Sequence, residues 1–333
     1  MPRALLHENT GSLRTVTALG LSIMSSKRTG YIFVLLAITI FSIQDAISKY
    51  LGSIYPPVLI TMIRYWAFAI FALAFAARAP GGLKAAFRTR RPVLQILRGV
   101  LLAGQIVVVI TSFATVGLAH SQAIFASGPI FVALLSMPIL GERVGWRRWT
   151  AIAVGLCGVL LILKPDGTHF DLNVLIPMAS ALVFAFYVIA TRLVSRDDTS
   201  VTSFLYTGVA GMVAISLIGP FYWTPLAPHD WFWMGLLCIT GTTSHFSLIK
   251  AYEYLDASEV QPLTYLQLVY ASVIGVTIFG ETLNLNMIAG SAIVVAAGIF
   301  TVWRETVVAR RKAKAAAETA DQGLAGKVQS IGA

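Results

Sequence analysis

The sequence has few charged residues and few cysteines, and both shortages exclude common protein classes. Asp, Glu, Lys and Arg make up 12% of the 333 residues, whereas hydrophobic residues make up 57%. A soluble domain carries about a quarter charged residues, so an ordinary soluble protein is excluded. The two cysteines, Cys157 and Cys238, stand in apolar segments, which argues against a disulfide framework or a metal site.

Motifs of enzymes and of nucleotide-driven machines are also missing. The sequence contains no Gly-rich phosphate loop, no His-Glu-x-x-His metal motif and no convincing pair of nucleophile and base. We therefore predict that the chain is not an enzyme, needs no cofactor and works on an existing gradient. A membrane-embedded sensor or enzyme is the alternative from another class.

The net charge of +10 comes from Lys and Arg residues in short runs between apolar segments. This placement is typical of membrane loops rather than of a nucleic-acid-binding surface. The expected partners are the lipid bilayer and a small-molecule substrate, with no nucleic acid, and a homodimer is left open.

Ten apolar runs are present, each long enough or nearly long enough to cross a bilayer, which takes about 20 helical residues. We predict an all-α membrane protein with ten transmembrane helices. The predicted spans are Tyr31–Leu51, Pro57–Ala77, Val93–Thr115, Ala119–Leu140, Trp149–Leu163, Val174–Val194, Ser200–Pro220, Trp231–Tyr252, Val260–Phe279 and Met287–Trp303.

A long segment occurs twice, each time as an apolar run, a Gly-Glu pair and a second apolar run. The pairs Gly141-Glu142 and Gly280-Glu281 lie 139 positions apart, which indicates two halves of one fold. Arginines follow the first pair but not the second. Because five spans is an odd number, the halves enter the membrane from opposite sides, and such inverted repeats are typical of secondary transporters.

Most Lys and Arg residues fall in the tails and in alternate loops, so the positive-inside rule predicts that both termini are cytoplasmic. The predicted organisation is an N-terminal tail over 1–30, five-helix repeats over 31–164 and 174–303, and a basic, disordered tail over 304–333. Met24 is an alternative start of the chain.

Polar residues interrupt the first two spans at Gln44, Asp45, Lys49 and Arg64. An ionisable group inside a span costs about 2.5–3.5 kcal/mol, so each needs a reason. Asp45 and Lys49 share one helix face, and Arg64 lies at nearly the depth of Asp45. One interpretation is a structural ion pair of Asp45 with Arg64 or Lys49. The other is a substrate or proton site at Gln44 and Asp45.

The eighth span carries a small polar patch that ends at His245. Imidazole titrates near neutrality, so His245 is a candidate for proton coupling and substrate binding, and a packing histidine is the alternative. Gln105 stands opposite it in the third span. We read Glu142 and Glu281 as caps of helix turns, and we expect Arg98 to reach the phosphate layer.

The repeated pattern resembles the drug/metabolite transporter superfamily, in its EamA family. Gly128-Pro129 precedes Gly141-Glu142 in the first half, whereas the second half keeps Gly280-Glu281 but has Leu268 at the position of the proline. The resemblance implies a secondary-active carrier of the bacterial inner membrane that works by alternating access.

Family members of this kind include riboflavin importers, S-adenosylmethionine carriers, and amino-acid or drug exporters. The resemblance places Phe125, Tyr187, Tyr265 and Tyr270 around the cavity. Together with Gln105 and Gln267, aromatic faces would suit a flat heterocycle held by stacking. Riboflavin uptake is therefore the first expectation for the substrate, and S-adenosylmethionine, an amino acid or a drug-like metabolite is the alternative.

Overall fold

A computed structural model describes residues 5–141, 146–163, 172–255, 260, 263–300, 303–304 and 307. The described residues are helical with short connections, and no strand occurs among them. The helices are α1 (Leu5–Gly52), α2 (Pro57–Arg78), α3 (Gly82–Ala86), α4 (Pro92–Thr115), α5 (Leu118–Phe125), α6 (Gly128–Leu140), α7 (Trp146–Leu163), α8 (Leu175–Val194), α9 (Ser200–Ile218), α10 (Asp230–Tyr254), α11 (Leu266–Thr277) and α12 (Leu285–Phe300). The predicted N-terminal tail is helical from Leu5 and continuous with the first span.

Six helical segments in the described ranges are long and apolar enough to cross a membrane. Three further apolar helices are shorter, and α10 is long enough but has a polar middle that lowers its mean hydropathy. Helix occurs at every predicted span, but the number of ten crossings stays a prediction. The six segments are Lys27–Gly52, Pro57–Arg78, Pro92–Thr115, Leu118–Leu140, Leu172–Val194 and Ser200–Tyr222, and the shorter helices are Trp149–Ile162, Leu266–Thr277 and Leu285–Phe300.

The two halves interdigitate, because helices of the first half pack mainly on helices of the second. Helix α1 packs on α10, α4 on α8, α2 on α9 and α5 on α11. Along α2 and α9, Tyr65 lies against Gly211 and Met62 against Gly219, so these two equivalent helices run antiparallel. The halves are therefore inverted relative to each other, and the main apolar core lies between them.

Helices α7 and α12 cross where Gly158 faces Gly290, and their backbones are in van der Waals contact there. A Cβ at Gly290 would lie 2.6 Å from the carbonyl oxygen of Gly158, and Gly155 faces Ala297 further along. Since small residues are what allow such an approach, this contact depends on the absence of side chains.

Replacing Gly290 with alanine should lower the stability of the protein by about 1–3 kcal/mol, because backbone atoms cannot move aside easily. Gly235 is a matched control: it also lies in a helix, but a Cβ there would meet nothing within 4 Å. Gly235→Ala should be neutral or stabilising by up to about 1 kcal/mol, as alanine favours helix. Thermal unfolding in detergent measures the stability of both variants. Equal unfolding midpoints for Gly290→Ala and Gly235→Ala would contradict a close contact between α7 and α12 at Gly290.

One helix in each half is broken at an equivalent position. In the first half, α5 ends at Phe125 and α6 begins at Gly128. In the second half Tyr265 forms a turn between helical Thr264 and α11, 139 positions after Ala126. The second half has Leu268 where the first half has Pro129, so the break in the second half does not depend on a proline at that position. Broken helices of this kind often line the substrate site of a transporter.

Candidate functional site

Asp45 joins the two broken helices. Its Oδ2 accepts hydrogen bonds from the Nε2 atoms of Gln122 on α5 and Gln267 on α11, each at 2.7 Å. The carboxyl side chain is nearly buried, with Asp45 only 7% exposed. One acid on α1 therefore holds a helix from each half, close to the point where each helix is broken.

The ion pair predicted for Asp45 differs from the pair that the structure contains. Lys49 pairs with Glu281, on the loop between α11 and α12, so the predicted pairing of Lys49 with Asp45 is wrong. The described residues also contain no ion pair between Asp45 and Arg64 within 4.0 Å. Two amide donors satisfy Asp45 instead, since each contributes a hydrogen bond without adding a buried charge.

Glu281 caps a helix of the other half. Its carboxylate accepts from the backbone N–H groups of Leu118, at 2.6 Å, and Ala119, at 2.9 Å, which open α5. The Lys49 ammonium adds an ion pair and lies 4.3 Å from the centre of the Phe279 ring. A carboxylate at a helix N-terminus stabilises the orphan N–H groups there. The structure thus has Glu281 in a capping position, whereas Glu142 lies outside the described residues.

A small cavity of about 30 Å³ lies between the halves, bordered by α2 and α4 of the first half and α10 of the second. On this scale the space admits a few water molecules. The lining residues are Arg64, Tyr65, Phe68, Leu102, Ile106, Cys238, Gly241, Thr242 and His245.

His245 borders this cavity and is held by contacts from two directions. Its Nδ1 donates to the carbonyl oxygen of Gly241 at 2.9 Å, and its ring meets Phe41 edge-on at 5.1 Å. Phe68 lies 6.1 Å away. The structure therefore places the predicted histidine at the cavity, and its role in proton coupling stays a prediction.

Gln44 lies beside the cavity rather than in its lining. Its Oε1 accepts from the hydroxyl of Ser244 at 3.5 Å, and a Cβ built on Gly241 would lie 3.3 Å from the same oxygen. Neighbouring Asp45 turns to the broken helices. Gln44 and Asp45 are adjacent on α1 but have different neighbours, because successive side chains of a helix point about 100° apart.

Gln105 and Arg98 lie in the interface of α4 with α8 and α9. Gln105 donates to the hydroxyl of Ser180 at 3.1 Å and lies outside the lining of the cavity. Arg98 is 3% exposed and donates to the Ser203 carbonyl and the Thr207 hydroxyl. The expectation that Arg98 reaches the phosphate layer is wrong, since polar groups of α9 hold its guanidinium inside the bundle.

The predicted aromatic residues do not form one binding box in the described structure. Phe125 and Tyr187 both contact Phe184, with ring centres 5.3 and 6.0 Å apart respectively. Tyr265 lies against Gly298 with its hydroxyl buried, and Tyr270 packs in a separate apolar cluster with α1. With Gln267 bonded to Asp45, the expected aromatic and amide groups are divided among several places. Their roles in substrate binding stay predictions.

A polar cluster that we name the Asp230 latch, formed by Tyr50, Tyr55 and Asp230, lies at one end of the bundle. The Asp230 carboxylate, at the start of α10, accepts from the hydroxyls of Tyr50 at 2.9 Å and Tyr55 at 2.7 Å. Tyr55 in turn accepts from the backbone N–H of Ala227. These bonds join the end of α1 to the start of α10, one helix from each half.

A second cluster, which we name the Asp198 latch, lies at the opposite end and is formed by Thr89, Arg90, Gln95 and Asp198. The Asp198 carboxylate accepts from the Thr89 hydroxyl, from Gln95 Nε2 at 2.9 Å and from the Arg90 backbone N–H at 3.1 Å. Partial burial raises the pKa of Asp198, but these hydrogen bonds outweigh it and leave the pKa below its usual value. The latch therefore stays charged at neutral pH and weakens only as the solution becomes strongly acidic.

The two latches occupy equivalent places in the repeat. The first joins the end of α1 to the start of α10, and the second joins the loop after α8 to the start of α4, which are the equivalent places of the other half. Sequence reasoning did not identify Asp198, Asp230 or Gln122. Gln122 could have been found from the sequence, because it is an amide inside an apolar run, as Gln105 is. Asp198 and Asp230 stand in polar turns, where acids are common, so nothing in the sequence distinguishes them.

A profile of the EamA-like transporter family matches residues 28–164 and 172–303 of this chain. The chain belongs to the EamA-like transporter family. This family consists of transporters rather than enzymes, and its profile covers both inverted halves. The membrane class, the two repeats and the transport function expected from the sequence are thereby confirmed at the level of the family.

Relatives of this EamA-family protein are named for different cargoes. An S-adenosylmethionine uptake transporter of Rickettsia prowazekii is 27% identical over 280 residues, covering 83% of this chain and 93% of the relative. A riboflavin transporter of Vibrio cholerae is 26% identical, covering 88% and 99%. A pseudopaline exporter of Pseudomonas aeruginosa is 27% identical, covering 82% and 95%. The identities are so close that they do not select a substrate.

The fold is also found in a solved structure. A crystal structure 21% identical in sequence superposes with a TM-score of 0.53 and covers 86% of this chain and 98% of its own. At this identity the likeness supports the fold of the EamA-family protein alone.

Proposed function

We propose that this EamA-family protein is a secondary carrier, which moves a small polar metabolite across the bacterial inner membrane by alternating access. The observation that supports it best is that a latch joins the two halves at each end of the bundle, with a small cavity between the halves. A carrier must pass through an occluded state, because opening both ends at once would leave a channel. In the orientation predicted from the basic loops, the Asp198 latch faces the cytoplasm with both termini.

S-adenosylmethionine is the substrate that we put first. The guanidinium of Arg64, which borders the cavity, suits a solute that carries a carboxylate. Riboflavin, the first expectation from the sequence, takes second place because the aromatic and amide residues expected to hold its flat ring are dispersed. The names of the relatives make both solutes reasonable tests.

The deciding experiment is uptake into proteoliposomes that contain the purified protein. We expect saturable, gradient-dependent uptake of labelled S-adenosylmethionine, and weaker or no uptake of riboflavin. Liposomes without the protein serve as the control for leak. Uptake of riboflavin alone would reverse the order of substrates, and absence of gradient-dependent uptake of either would contradict this proposal for these cargoes.

Removing one latch should open one end of the carrier. Asp198→Ala loses charge-assisted hydrogen bonds worth about 1.5–3 kcal/mol, enough to shift an opening equilibrium by about tenfold. Cys238 lines the cavity and is a natural reporter, whereas Cys157 is exposed and can be replaced by serine.

Labelling of Cys238 by a membrane-impermeant thiol reagent should accelerate from the side of Asp198 in that variant. In Asp230→Asn it should accelerate from the other side. Right-side-out and everted vesicles separate the two faces. Equal acceleration from both sides in either variant would show that the latches are not gates.

A further inference from the structure

Among the described residues that line the cavity, Arg64 alone has a permanent charge, and its charge is not matched by a partner. It stands on α2, seven positions after the helix begins, where its guanidinium borders the cavity beside α10. Within the part of the chain that the structure describes, no hydrogen bond or ion pair engages it. Because a guanidinium keeps its charge in proteins, a position inside the bundle calls for an anionic partner.

The other cations near the interior of the bundle are already engaged. Lys49 is paired with Glu281, and Arg98 donates to Ser203 and Thr207. Asp45 makes no ion pair with Arg64 within 4.0 Å, and its Oδ2 is taken by two glutamine amides. Over the described ranges, Arg64 is thus the interior cation that remains available to a ligand.

The space around the guanidinium is kept open by a glycine. A Cβ on Gly241 would lie 3.4 Å from Nη2 of Arg64 and 3.3 Å from Oε1 of Gln44. A Cβ at this position would touch the guanidinium, and a longer side chain would take up the space beside it. Much of the remaining lining is apolar or aromatic, including Phe68 and Leu102. The planar guanidinium of Arg64, with its N–H donors, therefore lies at the end of a largely apolar cleft.

Such a fork matches a carboxylate, which accepts two parallel N–H···O bonds from a single guanidinium. We propose that Arg64 binds the carboxylate of the transported substrate, which makes the substrate an amino acid or an amino-acid derivative. This rests on the proposed carrier function. The apolar lining takes the side chain of the solute once the latches open. A neutral flavin lacks the group that this site requires.

Ligand-induced thermal stabilisation of the purified protein in detergent tests the proposal without requiring transport. The ligands are S-adenosylmethionine and methionine, each beside an analogue without the carboxylate: decarboxylated S-adenosylmethionine and methionine amide. Riboflavin is the neutral comparison. We expect stabilisation by the two carboxylates and an affinity at least about tenfold lower for their analogues, a difference of about 1.4 kcal/mol.

Three variants make the test specific. Arg64→Gln should lose the preference for the carboxylate, and Arg64→Lys should keep part of it. Arg78→Gln, on the exposed end of the same helix, should behave as the unaltered protein. Without ligand, Arg64→Gln should unfold at the same or a higher temperature, since it removes an unpaired charge.

Three results would each overturn the proposal: Arg64→Gln binding the carboxylates as well as before, neither carboxylate stabilising the unaltered protein at millimolar concentration, or Arg64→Gln being strongly destabilised without ligand. The carrier function fails separately. Binding without gradient-dependent uptake would leave the Arg64 site standing and contradict the carrier. Uptake of riboflavin alone would leave the carrier standing and contradict the site.

Discussion

Replacing Asp45 with asparagine should reduce uptake to background while leaving the protein folded. Both glutamine amides donate to a single oxygen, Oδ2, so the carbonyl oxygen of asparagine can accept the same two bonds. What the substitution removes is the negative charge, and with it the capacity to exchange a proton or balance a cation. We expect the unfolding temperature of Asp45→Asn in detergent to shift only slightly, by an amount that corresponds to a stability change of under about 1 kcal/mol.

Asp45→Ala is the matched variant that separates charge from structure. It leaves the amides of Gln122 and Gln267 without an acceptor in a nearly buried place, which costs about 1–3 kcal/mol for each. This variant should therefore lose stability as well as uptake. Uptake by Asp45→Asn at the unaltered rate would assign Asp45 to packing and remove it from the coupling mechanism.

Replacing Glu281 with glutamine should destabilise the protein more strongly than either Gly290→Ala or Asp45→Asn. The side chains of Lys49 and Glu281 are 14% and 11% exposed, so the substitution strands a cation in a mostly buried place. Breaking a buried pair on one side costs about 3–5 kcal/mol. Weakening the cap of α5 adds about 1 kcal/mol, although the glutamine oxygen can still accept from one N–H group.

The double variant Lys49→Gln/Glu281→Gln tests the source of that loss. It removes both charges together, so it should unfold at a higher denaturant concentration than Glu281→Gln alone. The difference in unfolding free energy between the double and the single variant measures the cost of leaving the Lys49 ammonium unpaired. The difference between the double variant and the unaltered protein measures the loss of the cap and of the ion pair together. If the double variant is the less stable of the two, the ion pair is not what stabilises this loop.

The apolar runs and the repeated Gly-Glu pair were sufficient to predict the helical segments, the two halves and the family. These features are local, because hydropathy over a single run predicts a span, and a repeat can be read without knowing any contact. The break at Tyr265 shows the limit of such reading. Its equivalent in the first half comes three positions before Pro129, whereas the second half has Leu268 at that position and Pro262 three positions before the break.

Contacts between distant residues were beyond the reach of the sequence. Helix periodicity places Lys49 beside Asp45, four positions away, but the loop after α11 brings Glu281 against Lys49 from 232 positions away. In the same way, Gln267 bonds to Asp45 rather than lining an aromatic box.

Membrane class, helix positions and the inverted repeat are thus readable from composition, run length and spacing, since the bilayer imposes these on each segment separately. Which acid pairs with which cation, where the latches close and which arginine faces the cavity depend on how helices of the two halves interdigitate. That interdigitation arises from side-chain packing between segments far apart in the chain, and no local pattern encodes it.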